Sequence, residues 1–166
     1  MKSVLISIKP EWCEKIVNGK KTIEVRKNKP NLETPFKCYV YCTKGMDLWL
    51  AGIKGKRESQ LINGKVIGEF ICDYVQELKG DETASEDFLH LCCMQKEGFD
   101  KYRLSFVPKN GWWGKHPNEF GCHNKTVYGW HISDFVLYDK PKELGEFYCR
   151  KQLTRPPQSW CYVEDK

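Results

Sequence analysis

The stretch Ser3–Lys27, SVLISIKPEWCEKIVNGKKTIEVRK, decides how this chain begins to fold. The run Val4–Ile8 is apolar at alternate positions, which is typical of a buried strand. Pro10 suits the first turn of a helix, because a residue there needs no backbone donor. Gly19 can end that helix, since glycine adopts a left-handed conformation without steric cost. The stretch therefore predicts a strand, a short helix, a tight stop and a second strand.

Three ionic residues follow the helix stop at close spacing. Alternate side chains of a strand share a face, so Glu24 and Arg26 should point the same way, opposite to Ile23. Lys21 lies at the start of the strand. A carboxylate between two cations stays ionised and holds both in place. We therefore predict that the three gather at one mouth of a sheet; the alternative is a solvated charged face on an edge strand.

The spacing of these residues resembles a family signature. Residues 19–26, GKKTIEVR, match GxKxxExR, the motif of the ASCH domain, the activating-signal-cointegrator homology family. The strand and helix before the motif also resemble the family's opening, and weaker likeness continues through residues 64–70 and 128–132. ASCH domains resemble PUA domains, small β-barrels that bind RNA. The resemblance implies an α+β fold: a PUA-like ASCH β-barrel with peripheral helices and an inserted basic loop.

The length of the chain, 166 residues, suits one domain. We expect a single ASCH domain over residues 1–166, elaborated at about 44–64 and 80–125. No apolar run approaches the roughly 20 residues that a membrane-spanning helix needs. No secretion signal is visible at the start. We therefore expect a cytoplasmic protein with no membrane partner.

The charge is unevenly distributed. The net charge is +5, and residues 1–30 alone carry eight Lys or Arg against three Glu. Residues 73–87 carry six acidic residues against one lysine. A basic patch raises the local concentration of polyanions. The motif end of the chain is therefore the expected side for an anionic partner, although a net charge this modest does not require one.

The nine cysteines predict free thiols rather than a metal site. The chain has no CxxC pair, and the spacings of Cys38 with Cys42 and of Cys92 with Cys93 are poor for metal. Free cysteine usually behaves as a small apolar residue. We expect structural thiols, no metal and no cofactor; stoichiometric zinc in the purified protein would overturn this expectation.

The remaining elements are less sharply defined. We predict strands over residues 36–42, 65–75 and 125–138, a docked strand near the C-terminus, and a helix over residues 81–95. Ser85 can cap the helix and Gly98 should break it. Gly68 indicates a bulge or a close backbone approach. Pro141 should stop the long strand.

The first functional hypothesis is a module that binds RNA or a modified nucleoside or nucleotide in a cationic cleft. Lys21 and Arg26 would bind phosphate or base oxygens, with Glu24 holding them or accepting from an exocyclic amine. Tryptophans would stack on bases. The predicted nucleic-acid-binding residues are Lys9, Trp12, Lys20, Lys21, Glu24, Arg26, Trp130 and His131.

The tryptophan pair at 112–113 and His131 each have a functional and a structural interpretation. Trp112-Trp113, in a glycine-proline loop, could stack on bases or plug the end of the core. His131 could donate to a base or phosphate, or be a satisfied strand histidine.

The second hypothesis is an enzyme. Some small ASCH-like proteins are amidohydrolases that deacetylate acetylcytidine, and others are reported as ribonucleases. The resemblance would make Lys21 the catalytic base or nucleophile and let Glu24 relay a proton. The family's threonine position holds Glu24 here, and Glu97 is only a candidate third residue. We rank binding ahead of catalysis, with a pure protein-interaction domain as a third alternative.

Overall fold

The computed structural model describes residues 2–45, 62–108 and 120–164. The strands are Lys2–Ile8 (β1), Ile23–Arg26 (β2), Phe36–Cys42 (β3), Val66–Cys72 (β4), Val75–Leu78 (β5), Leu104–Pro108 (β6), Phe120–Asn124 (β7), Val127–His131 (β8), Ser133–Lys142 (β9), Tyr148–Cys149 (β10), Lys151–Gln152 (β11) and Trp160–Glu164 (β12). The helices are Pro10–Val17 (α1), Glu86–Leu91 (α2) and Lys96–Arg103 (α3), with a 3-10 turn at Leu144–Glu146. Within these ranges no helix has the length and apolar character to cross a membrane.

Two sheets form the body of the fold. The larger has five strands in the order β12-β1-β3-β4-β9, with β1 and β3 parallel and the other pairs antiparallel. The smaller is the antiparallel sheet β2-β8-β5. The other strands of the described residues form two ribbons, β6-β7 and β10-β11. The α+β class is confirmed, but among the described residues no hydrogen-bonded ladder joins the two sheets into the closed barrel that we expected.

Two predicted strands are in fact four, because the chain changes sheet within each. The run 65–75 divides into β4 in the large sheet and the start of β5 in the small one. The run 125–138 divides at Ile132, whose backbone N–H donates to the carbonyl of Thr22 at 2.8 Å. Apolar alternation continues across both bends, so it gave no sign of them. Pro141 lies within β9 rather than ending it.

The glycine prediction in β4 is confirmed. A Cβ atom at Gly68 would collide with the carbonyl oxygen of Val136 on the neighbouring strand. The register between β4 and β9 also shifts beside this residue. Glycine is therefore required where the two backbones approach most closely.

The helical region differs from its prediction. Ser85 caps α2 as expected, since its Oγ accepts the backbone N–H of Phe88 at 3.2 Å. The helix ends at Leu91, and Cys93 adopts a left-handed φ of 57°. Gly98 lies inside a further helix, α3, instead of breaking one. Outside its own helix, no atom of the described residues lies within 4 Å of where a Cβ at Gly98 would be, so the helix has room to continue through this position.

Strand β2 is buried on both faces, and this positions the site. One face packs Ile23 and Val25 against Phe88 of α2 and Phe99 of α3. The other face points toward the core between the two sheets, which includes Trp130. Glu24 pairs with Trp130 across the β2–β8 ladder, so it lies on this inner face. A carboxylate buried in this way needs partners close by.

Candidate functional site

The ionic cluster comprises Lys21, Glu24 and Arg26. The Nζ atom of Lys21 lies 3.2 Å from Oε2 of Glu24, and Nη2 of Arg26 lies 3.0 Å from Oε1 of the same carboxylate. Their side chains are only 3%, 10% and 13% exposed, respectively. The predicted convergence is confirmed, and the alternative of a solvated charged face is wrong.

Lys21 is enclosed by acceptors and by an aromatic ring. The Gly19 turn, with φ of 69°, brings its backbone round so that its N–H donates to the carbonyl of Lys15 at 3.1 Å. Its ammonium donates to the carbonyl of Cys92 at 2.8 Å and lies 5.1 Å from the centre of the Trp12 ring. Lys21 therefore ties β2 to α1 and to the connection between α2 and α3.

Arg26 ties the other end of the cluster to the large sheet. Its Nη2 donates to the carbonyl of Ser7 at 2.7 Å, and its Nη1 donates to Oγ of Ser159 at 3.4 Å. Ser7 in turn donates through Oγ to the carbonyl of Pro157 at 2.7 Å. Among the residues that the structure describes, none accepts from the buried Nε of Arg26. Ser159 therefore lies beside the motif although it is far from it in the sequence.

The cluster is not an open cationic mouth. Lys21 is almost completely buried, so its ammonium cannot contact a phosphate in this structure. The carboxylate of Glu24 also offsets one of the two positive charges. Only Arg26, at the less buried end, borders the surface. The sequence predicted the grouping but not its depth, because spacing along a strand does not reveal what covers it.

Trp130 is not available for base stacking. Its side chain is 0% exposed and packs between the rings of Phe36 and Trp160, each 5.8 Å away between ring centres. Its buried Nε1 finds no acceptor within the described part of the chain. The stacking prediction is wrong here because the residue pairs with Glu24 on the inner face of the small sheet.

His131 lies apart from the ionic cluster. Its partner in the ladder is Ile23, on the opposite face of β2 from Glu24. Its Nδ1 lies 2.7 Å from Oδ1 of Asp73, and this hydrogen bond lowers the pKa of the Asp73 carboxyl. The alternative of a strand histidine with a satisfied partner therefore fits its surroundings better than the predicted place in the ligand site.

The other predicted ligand contacts are at or near the surface. Lys9 and Lys20 are exposed at the two ends of α1. Trp12 is partly buried and has the ammonium of Lys15 at 4.6 Å from its ring centre, on the same helix. The pair Trp112-Trp113 lies outside the described residues. The contact roles of these residues remain predictions.

An aromatic strip that the sequence did not reveal lies beside Arg26. It consists of Tyr128, Trp160 and Tyr162, all partly exposed. The rings of Trp160 and Tyr162 are 5.4 Å apart between centres. Tyr128 pairs with Arg26 across the β2–β8 ladder, and Ser159, which Arg26 contacts, precedes Trp160.

The segment after β2 contacts two rings of the strip. Asn28 accepts the indole N–H of Trp160 at 2.8 Å, and the ammonium of Lys29 lies 5.5 Å from the ring centre of Tyr128. Lys2 lies similarly over Tyr162, at 5.9 Å. Lys29 and Lys2 belong to the basic N-terminal stretch, but only long-range strand pairing brings Trp160 and Tyr162 beside them.

The cysteines behave as buried thiols where the structure describes them. Five are buried and free: Cys13, Cys38, Cys42, Cys72 and Cys92. Burial raises the pKa of the Cys13 thiol well above its usual value, and the nearby Glu24 carboxylate adds to that rise. Within residues 2–45, 62–108 and 120–164, no three His, Cys, Asp or Glu residues are grouped to hold a metal ion.

The fold and the motif agree with comparisons to known proteins. The ASCH protein from Zymomonas mobilis matches with a TM-score of 0.61 and 18% identity, over 98% of this chain and 87% of that one. A tyrosine-to-phenylalanine mutant of that protein matches with a TM-score of 0.62 and 17% identity, over 99% of this chain and 91% of the mutant chain. No curated protein matches. The family model described as ASCH domain matches residues 6–121. The chain therefore belongs to the ASCH domain family.

Proposed function

We propose that this ASCH domain binds single-stranded RNA along the aromatic strip, next to Arg26. The observation that carries the proposal is the row of partly exposed rings, Tyr128, Trp160 and Tyr162, with ammonium groups over the first and the last. Rings interleaved with cations are the combination that single-stranded nucleic acid uses. Each base stacked on an aromatic side chain contributes roughly 1–3 kcal/mol.

The ionic cluster holds Arg26 in position beside this surface. Glu24 fixes the guanidinium of Arg26, which in turn contacts Ser159 at the start of the strip. The Arg26 side chain is 13% exposed, and its Nη1 is the nitrogen that faces Ser159. A base or phosphate oxygen beside Ser159 could accept a hydrogen bond from the exposed part of this guanidinium. Arg26 is thus the residue of the motif best placed to meet a ligand.

Exposed lysines supply attraction over a longer distance. Lys9, Lys20 and Lys29 are exposed within the first thirty residues, where cations outnumber acids. Such charges raise the rate of encounter with a polyanion and make its affinity fall with salt. Their part in binding is electrostatic rather than sequence-specific.

The surroundings of Lys21 do not favour the hydrolase alternative. Its amine contacts the Glu24 carboxylate and the Cys92 carbonyl, both acceptors for an ammonium group. Thr22, the nearest hydroxyl in the sequence, lines a separate groove on the other side of the chain. Glu97, the candidate third residue, is exposed on α3.

The test is the affinity for a short fluorescent single-stranded RNA, measured by anisotropy. We expect Trp160→Leu to weaken binding about tenfold, because the ring on which a base would stack is lost while an apolar side chain remains. Lys29→Ala should weaken it less and reduce the salt dependence. Lys140→Ala, on the exposed side of β9, is the matched control and should bind normally.

Three outcomes would overturn the proposal. One is an affinity that neither Trp160→Leu nor Lys29→Ala changes. Another is no RNA binding by the folded wild-type protein. The third is turnover of acetylcytidine that Lys21→Ala abolishes, which would establish the enzyme instead.

A further inference from the structure

A groove of about 540 Å³ lies beyond the Lys21 end of the ionic cluster. Its walls are the end of α1 with the Gly19 turn, the residues leading into β2, and the connection from α2 to α3. Its volume falls within the roughly 300–1,000 Å³ typical of small-molecule sites. None of the aromatic strip residues lines it, so it is a separate surface.

Hydrogen bonds between the walls of the groove fix their relative positions. The backbone N–H of Thr22 donates to the carbonyl of Leu91 at 3.0 Å. The thiol of Cys93 donates to the carbonyl of Lys20 at 3.2 Å. Behind the wall, the ammonium of Lys21 donates to the carbonyl of Cys92 at 2.8 Å. These bonds join the residues leading into β2 to the end of α2 and the connection that follows it, so the two walls are fixed relative to each other, as in a preformed site.

The charge of the lining selects an anion. Lys15 and Lys20 both line the groove, and His90 adds an imidazole that can form a hydrogen bond. The described lining residues include no Asp or Glu. The two lysine side chains repel a cation, whereas they would hold a phosphate or carboxylate by charge-assisted hydrogen bonds.

The rest of the lining suits a flat, partly apolar body attached to that anion. Leu89, Leu91 and Met94 form an apolar wall, and Leu91 is 38% exposed. Thr22 and Gln95 offer a hydroxyl and an amide for orientation. Apolar contact with a few polar groups is the usual composition of a ligand site.

We propose that the groove binds a nucleoside monophosphate group, with its phosphate on Lys20 and Lys15 and its base against Leu91 and Met94. Methionine and leucine contact an aromatic base through dispersion and sulfur–ring interactions. The same chemistry is presented by a free nucleotide and by one unit of an RNA strand. The proposal does not depend on binding along the aromatic strip.

The first test titrates adenosine and cytidine 5′-monophosphate into the protein by calorimetry. We expect Leu91→Asp to abolish measurable binding, since it replaces the apolar contact with the base by a carboxylate, which also adds a negative charge to a groove that binds an anion. Lys20→Ala should weaken binding about tenfold. Lys140→Ala should leave it unchanged. Equal affinity in wild type and Leu91→Asp, or no heat with either nucleotide, would overturn the proposal.

The second test uses the partly exposed thiol of Cys93 as a probe of occupancy. Iodoacetamide alkylation of Cys93 is followed by mass spectrometry, with Cys149, equally partly exposed, as the internal reference. Bound nucleotide should slow alkylation of Cys93 at least about threefold at near-saturation and leave Cys149 unaffected. Unchanged alkylation of Cys93 at a saturating nucleotide concentration would contradict the proposal.

Parallel RNA titrations identify the source of the ligand. If RNA protects Cys93 and Leu91→Asp weakens RNA binding, the groove holds a unit of the strand. If monophosphates protect Cys93 but RNA does not, the groove takes free nucleotides. Both results support the groove, and the second stands even if the aromatic strip binds no RNA. RNA binding with neither form of protection would overturn the groove alone.

Discussion

The buried ionic cluster and the surface ion pairs of this domain contain the same types of side chain but should differ in how much they contribute to stability. Glu24 lies between Lys21 and Arg26 with almost no exposure. Glu69, by contrast, meets Lys37 at 3.4 Å where both side chains are about one-third exposed. Exposed pairs contribute roughly 0–1 kcal/mol, because water and salt screen them. The comparison indicates that burial, rather than pairing alone, determines how much the loss of a charged side chain lowers the free energy of unfolding.

The largest expected effect is the loss of the shared carboxylate. Glu24→Ala leaves two cations uncompensated in the core, so we expect the free energy of unfolding to fall by about 3–5 kcal/mol. Urea unfolding followed by fluorescence measures this. Lys37→Ala is the control, because it breaks the exposed pair and leaves Glu69 its hydrogen bond from Tyr138, and it should cost no more than about 1 kcal/mol. Equal losses in the two variants would break the comparison.

Arg26→Lys separates geometry from charge. The variant keeps the positive charge but loses the fork that contacts Glu24, Ser7 and Ser159 together. We expect a loss of about 2 kcal/mol in unfolding free energy. Hydrogen exchange should also speed up in β12, whose start the fork holds. Unchanged exchange there would show that Arg26 does not anchor the C-terminal strand.

Burial should act on thiols as it acts on charges. It raises the pKa of Cys72 to about 12 in the folded protein, from a usual value of 9.0. The resulting stability is fully present below pH 9 and is lost as the pH rises through about 12. Between pH 8 and 10.5, wild type should lose roughly 2 kcal/mol more than Cys72→Ala. Parallel losses in urea unfolding would contradict this.

The smallest effect is expected at the exposed pair of Asp73 and His131. The hydrogen bond from His131 lowers the pKa of Asp73, so its contribution is present above the usual value of 3.8 and is lost as the pH falls through the lowered one. Both side chains are well exposed, and we expect Asp73→Asn to cost under about 0.5 kcal/mol at pH 7. A loss above 2 kcal/mol in thermal unfolding would show that this pair matters as much as the cluster.

The sequence predicted what local spacing controls. Strand β1, helix α1 and the convergence of the three ionic residues all follow from patterns within Ser3–Lys27. The burial of Trp130 did not follow, because it depends on which strand lies beside β2. The place of Trp160 depends on the pairing of β12 with β1, across most of the chain. No short pattern records such long-range pairing.

The chemical shift of the Trp160 indole N–H during titration with single-stranded RNA tests the RNA-binding account most directly. This proton lies in the aromatic strip, where it donates to Asn28. Trp160→Phe assigns the resonance by removing it. We predict a shift that saturates at the same RNA concentration as the anisotropy signal. An indole resonance that stays in place while RNA binds would contradict the account.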